Sequence, residues 1–273
     1  METELLTLLR STKPDLAKLP GGWEPPDKLV PRLDEASQIS IQALKEVSAE
    51  FGVAFVAKNV LTSKEIERLL YLMDQSPNFE SVSVQGRKDI PDYRMGSIRT
   101  SIWAPELALS LWKKLQEHFI YIRLMNDYTA TDWWQGDKEG DKERRYWKPV
   151  GITPLMRFMR YQKDGQHYAH YDAGFFYPDD NYRTLQSAVI YLTTCPQDGT
   201  TRFIKDHQKQ LPIWERSHAD WIREVKPEEV IASVHPQAGD ILIFDHRICH
   251  DVEKYTGDTP RIIIRADILF KAV

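Results

Sequence analysis

From about Leu155 onward the chain is written in short apolar or alternating runs: LMRFMRY, QSAVIYLTT, TTRFI, VIASVHP, DILIFD and RIIIRADILF. Gly, Asp or Pro separates them. Runs of this length, rich in Ile, Val, Phe and Tyr and bounded by turn residues, read as strands. Helix-length segments rarely intervene, so the strands lack the crossover helices a parallel sheet needs and are expected to pair antiparallel. The one long interruption, QLPIWERSHADWIREVKPEE over 210–229, reads as a helical insertion. Such a succession must close on itself or stack as two facing sheets to bury its apolar faces and protect its edges, which points to a β-sandwich or jelly roll.

The first half reads differently. KPDLAKLPGGWEPPDKLVPR, 13–32, is rich in Pro and Gly and predicts an extended arm. DEASQISIQALKEVSAEF, 34–51, spaces Ile39, Ile41, Leu44 and Val47 roughly as one helical face. In TSKEIERLLYLMDQ, Thr62 is the expected N-cap, with Glu65 three residues on completing a capping box. APELALSLWKKLQEHFIYIRLM predicts a long amphipathic helix with Leu107, Leu111, Leu115 and Phe119 on one side. The expected fold is therefore α+β, mainly β. Its core is a double-stranded β-helix (jelly-roll, cupin-like) over about 155–270, with N-terminal helices packed on one face. The expected division is an N-terminal arm and helix over 1–50, then a single domain over 51–273.

Composition narrows the partners. A net charge of -4 and a pI near 6.1 speak against a polyanion partner, since nucleic-acid binding draws on excess Lys and Arg. No window approaches a membrane span, and METELLTLLRSTKP lacks a signal core. Cys195 and Cys249 are too few for a disulfide framework or a thiolate zinc site. A cytoplasmic protein binding neither nucleic acid nor membrane is the expectation, and nothing in the chain specifies an oligomeric state. The mixed charge run GDKEGDKERR, 136–145, reads as a solvated loop.

Within the β-half, QHYAHYDAG (166–174) concentrates candidate ligands. Side chains at i and i+2 of a strand share a face, so His170 and Asp172 converge, with Tyr168 beside them. His167 falls on the opposite parity unless a bulge intervenes. A His-x-Asp pair supplies two of the three groups of the 2-His-1-carboxylate site that holds non-haem Fe(II). The second histidine lies in GDILIFDHRICHDVEKYTGDTPRIIIRADILF. Parity does not separate His246 from His250, but His250 sits inside the next β-segment, whereas His246 follows Asp245 at a turn. Arg261 opens the last strand, and alternation places Ile263 and Arg265 on its face.

His170–Asp172, a distal His250 and Arg261 eleven positions on resemble the Fe(II)- and 2-oxoglutarate-dependent dioxygenases, in their prolyl-4-hydroxylase-like branch. The resemblance covers roughly 155–270. RYQKDGQHYAHYD, AVIYLTT followed by DGTTRF, and HPQAGDILIFD extend it. It implies that His170, Asp172 and His250 bind iron. Arg261 would grip the far carboxylate of 2-oxoglutarate, with Tyr191 or Tyr161 and Thr201 near the co-substrate. Two features depart from the family pattern. Arg261 lies one or two residues further from the histidine than is usual, so the turn must hold an extra residue. The Gly-Gly-Glu-Thr-like turn is kept only as Gly199, Thr200 and Thr201.

The resemblance further implies Fe(II), 2-oxoglutarate and O2 as cofactors, release of succinate and CO2, and hydroxylation of an unactivated C–H bond. Retention of Asp172 favours hydroxylation over halogenation. A small-molecule substrate is expected, an amino acid or related carboxylate metabolite, with Arg265, Tyr168, Arg94 and Arg99 as candidate contacts. Arg265 could instead pair with Asp267 or Asp240. The alternatives are a peptidyl prolyl hydroxylase, an oxidative cyclase or desaturase, a cupin-like metalloenzyme that ignores 2-oxoglutarate, and a non-catalytic binding module on the same scaffold. His167, His246 and Asp251 read as supporting or surface groups. Trp133 and Trp134 read as packing residues, or else as part of a lid.

Overall fold

The computed structural model describes residues 2–51, 53–81, 94–122, 147–175, 177, 181–208, 211 and 223–273. The first helix, α1 (Glu2–Ser11), is followed by an arm that is extended apart from two 3-10 turns and the short strand β1 (Gly22–Trp23). Strand β2 (Ser40–Ala43) leads into α2 (Lys45–Phe51), and β3 (Ala54–Lys58) into α3 (Ser63–Asp74). The helix expected over 34–51 is thus confined to Lys45–Phe51, with Ser40–Ala43 a strand before it. Ile39, Ile41 and Ala43 alternate, and pairing with β3 draws that alternation into the sheet. Helix α3 begins as read from sequence: the Thr62 hydroxyl accepts from the Glu65 N–H, and the Glu65 carboxylate accepts from the Thr62 N–H.

Strands β4 (Glu80–Ser81) and β5 (Arg94–Trp103) precede α4 (Pro105–Leu115). The amphipathic segment is α-helical only to Leu115 and continues as a 3-10 turn over Gln116–Ile122, yet Leu107, Leu111, Leu115 and Phe119 are all buried. The β-half contributes β6 (Trp147–Ile152), β7 (Leu155–His170), β8 (Tyr182–Tyr191), β9 (Thr201–Ile204), β10 (Val230–Val234), β11 (Ile241–Asp245), β12 (His250–Val252) and β13 (Arg261–Ala272). All six runs that open the sequence reading are strands. β3, β5 and β6 also join the sheet, so its strands begin well before Leu155. Of the expected helical insertion, 210 and 212–222 lie outside the described residues, as do Trp133, Trp134 and the run 136–145; Pro227–Glu229 forms a 3-10 turn.

The sheet runs β10-β9-β12-β7-β13-β8-β11-β3-β2, with β5 beside β7 and β6 beside β13; all these pairs are antiparallel. It curls into the expected jelly roll because β7 serves both walls. Arg157–Tyr161 pair with β13, whereas the far end of β7 pairs with β12. The bend lies between, where Asp164 has a φ of 64°. There Gly165 packs against Gly96 of β5 so closely that a Cβ on Gly96 would lie 2.8 Å from the Gly165 Cα.

Alternation along the central strands separates two cores. Phe158, Ile190, Ile243 and Ile264 face the helices and pack with Leu69, Leu107 and Leu111. Met159, Val189, Leu242 and Ile263 face the other way, towards Phe203 and Val252 of the opposing wall. ILIF in β11 is therefore apolar throughout because both its faces are buried. The helices cover the outer face, and the inner face is left to hold a site. No described helix is long and apolar enough to cross a membrane.

Candidate metal centre

His170 closes β7 and His250 opens β12, and the two are direct cross-strand partners. Their ring centroids lie 4.2 Å apart. Asp172, two residues past His170, turns its carboxylate between them. Its Oδ1 is 3.9 Å from His170 Nε2, and its Oδ2 is 3.6 Å from His250 Nε2. One ligand atom from each of the three residues lies within 4.8 Å of the others, and all three residues are buried. His246, the alternative that parity left open, instead has its Nε2 3.4 Å from Asp267 Oδ1.

The hydrogen bonds decide which nitrogens face the centre. His170 Nδ1 lies 2.7 Å from the Tyr168 carbonyl, and His250 Nδ1 lies 3.0 Å from the Ile248 carbonyl. A carbonyl only accepts, so each Nδ1 carries the proton and each Nε2 turns a lone pair inward. Burial pushes the His250 pKa down, against the pull of Asp172, which favours the neutral imidazole a metal requires. Burial raises the Asp172 pKa, but Arg265 and the histidines outweigh it and hold the carboxyl well below the usual range. Two imidazole lone pairs and a carboxylate converging in a buried pocket make an electron-rich point. That donor set suits Fe(II).

Beside it, Arg261 is fully buried. Its Nε donates to the Gly199 carbonyl at 2.8 Å, and its Nη2 donates to Thr201 Oγ1 at 3.3 Å. Nη1 has no hydrogen-bond partner among the described residues. The guanidinium lies 4.9 Å from the Tyr161 ring centroid and 5.9 Å from that of Tyr191. Tyr191 and Thr201 share a 3.0 Å hydrogen bond, and burial pushes the tyrosine up to about 12, so its hydroxyl keeps its proton. A buried guanidinium with an open N–H and, among the described residues, no carboxylate on it calls for an anion, which the far carboxylate of 2-oxoglutarate would supply.

One cavity is lined by the triad, Arg261, Tyr161 and Thr201, and also by Arg99, Arg157, Arg265 and His167. The register explains this gathering. Arg99 lies opposite Met159, and Arg157 opposite Arg265, so the inward face of β5, β7 and β13 carries three arginines at neighbouring positions. Two expectations change here. Between His167 and His170, β7 holds one residue more than β12 opposite it. That bulge reverses the parity: His167 turns inward and stacks on His170 at 3.6 Å. Tyr168 is turned instead to a neighbouring cavity with Arg202 and Asp251, so it does not share the triad's face as the simple alternation implied. Arg265 lies 3.2 Å from Asp172 Oδ2 and 2.9 Å from Asp267 Oδ1, so it does pair with Asp267. Arg94 pairs with His167 through the backbone, and its side chain lies outside the described residues.

Sequence reasoning passed over Ser187 and Arg157. Ser187 donates to Asp172 Oδ2 at 2.5 Å. Both shared a parity with residues already placed inward, Ser187 with Tyr191 and Arg157 with Tyr161. That signal could have found them.

Residues 181–267 match the family model described as "Putative 2OG-Fe(II) oxygenase". No curated protein matches the chain. Among solved structures, the chain is similar to HygX from Streptomyces hygroscopicus with nickel and 2-oxoglutarate bound. The identity is 13%, over 80% of this chain and 82% of that one, with a TM-score of 0.43. It is similar to the viral collagen prolyl hydroxylase of Paramecium Bursaria Chlorella virus-1, at 14% over 80% and 94%, TM-score 0.43. It is also similar to a Pseudomonas putida prolyl-4-hydroxylase, at 14% over 98% of both chains, TM-score 0.41. The superpositions are loose. The family match and the His-Asp-His group bear out the resemblance drawn from the motifs, to a 2-oxoglutarate-dependent Fe(II) oxygenase with iron and 2-oxoglutarate as its cofactors.

Proposed function

We propose that this 2-oxoglutarate-dependent Fe(II) oxygenase hydroxylates an unactivated C–H bond of a small carboxylate-bearing molecule, an amino acid or related metabolite. His170, Asp172 and His250 hold the iron, and Arg261 holds the far carboxylate of 2-oxoglutarate. The observation that carries the reading is the arrangement of these residues. Three buried ligands share one cavity with a buried arginine whose Nη1 has no partner among the described residues. When bound, the iron and 2-oxoglutarate supply the oxidising chemistry, with succinate and CO2 as by-products.

The chain's own groups bind and orient. The two Nδ1–H bonds to backbone carbonyls fix the ring planes of His170 and His250. Arg261 offers its Nη1 N–H to a carboxylate, and such a charge-assisted bond is roughly twice as strong as a neutral one. Thr201, which shares a hydrogen bond with the Tyr191 hydroxyl, lines the cavity beside the apolar side chains of Met159, Val189 and Ile263. Arg99 lines the same cavity from β5, the position from which it would meet a substrate carboxylate. The cavity-lining charges also support an anionic substrate: four arginines, 99, 157, 261 and 265, against Asp172, with Asp267 behind two of them.

The test is turnover. Anaerobic protein loaded with Fe(II) and then given 2-oxoglutarate and air is expected to form succinate, with faster formation in the presence of a small carboxylate substrate. No succinate with confirmed iron occupancy would favour a binding module. Arg261→Ala is expected to weaken 2-oxoglutarate binding by about 2–4 kcal/mol, as loss of a buried charge pair does. Unchanged affinity would leave a cupin-like metalloenzyme that ignores 2-oxoglutarate.

A further inference from the structure

We infer that Arg265, held by Asp267, positions the Asp172 carboxylate so that a single oxygen, Oδ1, is presented to the metal. The inference rests on the reading of His170, Asp172 and His250 as the iron site.

Arg265 lies directly opposite Arg157 across β13 and β7. Like charges facing each other on a sheet repel, and both of these are largely buried. Asp267, two residues along β13 and itself buried, resolves the conflict by bridging them. Its Oδ2 accepts from Arg157 Nη1 at 3.0 Å, and its Oδ1 meets Arg265 Nη2 at 2.9 Å. Asp172 completes the row on the other side of Arg265. Asp172, Arg265, Asp267 and Arg157 thus alternate in sign and sum to zero.

The row pins one end of the Asp172 carboxylate. Oδ2 accepts from Ser187 Oγ at 2.5 Å and lies 3.2 Å from Arg265 Nε, and Arg265 Nη2 donates to the same Ser187 oxygen at 3.3 Å. The Ser187 hydrogen bond takes a lone pair of Oδ2, and the Arg265 guanidinium holds the same oxygen as an ion pair, its Nε making no hydrogen bond among the described residues. Oδ1 lies 3.9 Å from His170 Nε2 and takes no hydrogen bond among the described residues, which keeps its lone pairs for a cation, whereas Oδ2, 3.6 Å from His250 Nε2, is held by Ser187 and Arg265. A carboxylate free to rotate could chelate through both oxygens and fill a position that the co-substrate needs. Removing groups that orient a ligand typically lowers metal affinity by about 10–100-fold.

Arg265 also carries a positive charge, which by itself opposes a cation. The two effects therefore predict opposite results, and a pair of variants separates them. Mn(II) is titrated into wild-type protein, Arg265→Met, Arg265→Lys and Asp267→Asn, with free Mn(II) followed by electron paramagnetic resonance. Thermal unfolding of each metal-free protein is recorded alongside. The expected result is a loss of about 10–100-fold for both Arg265 variants, since Lys keeps the charge but lacks the fork that spans Asp172 and Asp267, with a smaller loss for Asp267→Asn. In the infrared, the Mn(II)-loaded wild type is expected to show the widely split carboxylate stretches of one-oxygen coordination, and Arg265→Lys a narrowed splitting.

A residue that only filled space would change the unfolding temperature and leave the affinity of the folded protein alone. Tighter binding by Arg265→Met with an unchanged Arg265→Lys would mean that charge alone acts, and the inference would fall. If Arg265→Met does not fold, the Lys and Asn variants decide. Failure of the wild type to bind Mn(II) at all would sink the iron-site reading and this inference together. Wild-type binding matched by every variant would sink the inference alone.

Discussion

Gly199 accepts a hydrogen bond from Arg261 Nε at 2.8 Å while holding a φ of +66°, a conformation that side-chain-bearing residues adopt at a cost. A Cβ at this position would lie 2.8 Å from Tyr255 Cδ2 and 3.2 Å from Arg261 Cδ. The turn before β9 thus closes on the arginine because it has no side chain there. Gly199→Ala is expected to destabilise the fold by about 1–2 kcal/mol and to weaken 2-oxoglutarate binding, as chemical denaturation and ligand titration would show. Wild-type affinity in this variant would mean that the turn does not position Arg261.

Metal binding should stabilise the folded chain, because only that state brings His170, Asp172 and His250 within 4.8 Å of one another. At a free Mn(II) concentration about 100 times Kd, the gain is about 2.7 kcal/mol. Thermal unfolding with and without a chelator measures it. His250→Ala should remove the metal-dependent part and leave the strands intact by circular dichroism. A metal-dependent shift that survives His250→Ala would move the site elsewhere.

Leu111 is fully buried where α4 covers the outer face of the sheet, in one core with Ile264 and Phe158. Leu111→Ala leaves a cavity there and is expected to cost about 2–5 kcal/mol in urea unfolding. Because the triad lies on the other face, the folded variant should bind Mn(II) with wild-type affinity. A large loss of affinity would show that the two faces are coupled.

Glu229 ends the 3-10 turn before β10 and accepts from both Nη atoms of Arg223, at 2.6 and 2.7 Å, and from the Lys226 N–H at 2.9 Å. The Arg223 bonds, against the opposing effect of burial, bring the carboxyl down to about 2 from an ordinary 4.5. A carboxyl whose pKa is depressed on folding stabilises the protein above its unfolded value, and the contribution disappears as pH falls towards the folded one. Stability should therefore decline as the pH drops from about 5 to about 2, and Glu229→Gln should flatten that decline. An identical slope in the variant would mean that other carboxylates carry the acid sensitivity.

The proposed iron site was the most legible part of the sequence. His170 and Asp172 are two residues apart, and His250 with Arg261 recurs at a spacing the turn between them tolerates. Strand runs such as DILIFD and RIIIRADILF were equally plain, since two buried faces favour consecutive apolar residues such as ILIF and III. The N-terminal strands were harder to see. RMGSIRTSIW places Arg99, Ser97 and Ser101 on the inward face, and a strand with polar residues facing a polar site loses the apolar alternation by which strands are read.

What the sequence determined by itself was the set of chemical groups, their order and their face wherever alternation ran unbroken. Those properties are local, governed by two-residue periodicity and by the chemistry of each side chain. Tertiary structure decided what depends on residues far apart in the chain. One extra residue in β7 opposite β12 turned His167 inward and Tyr168 away, because a bulge inverts every parity beyond it. Pairing across β7 and β13 set Arg157 against Arg265, so that Asp267 and Asp172 had to neutralise both. An arginine placed inward by alternation could have met substrate or acid. The partner it found was settled by register between strands about a hundred residues apart.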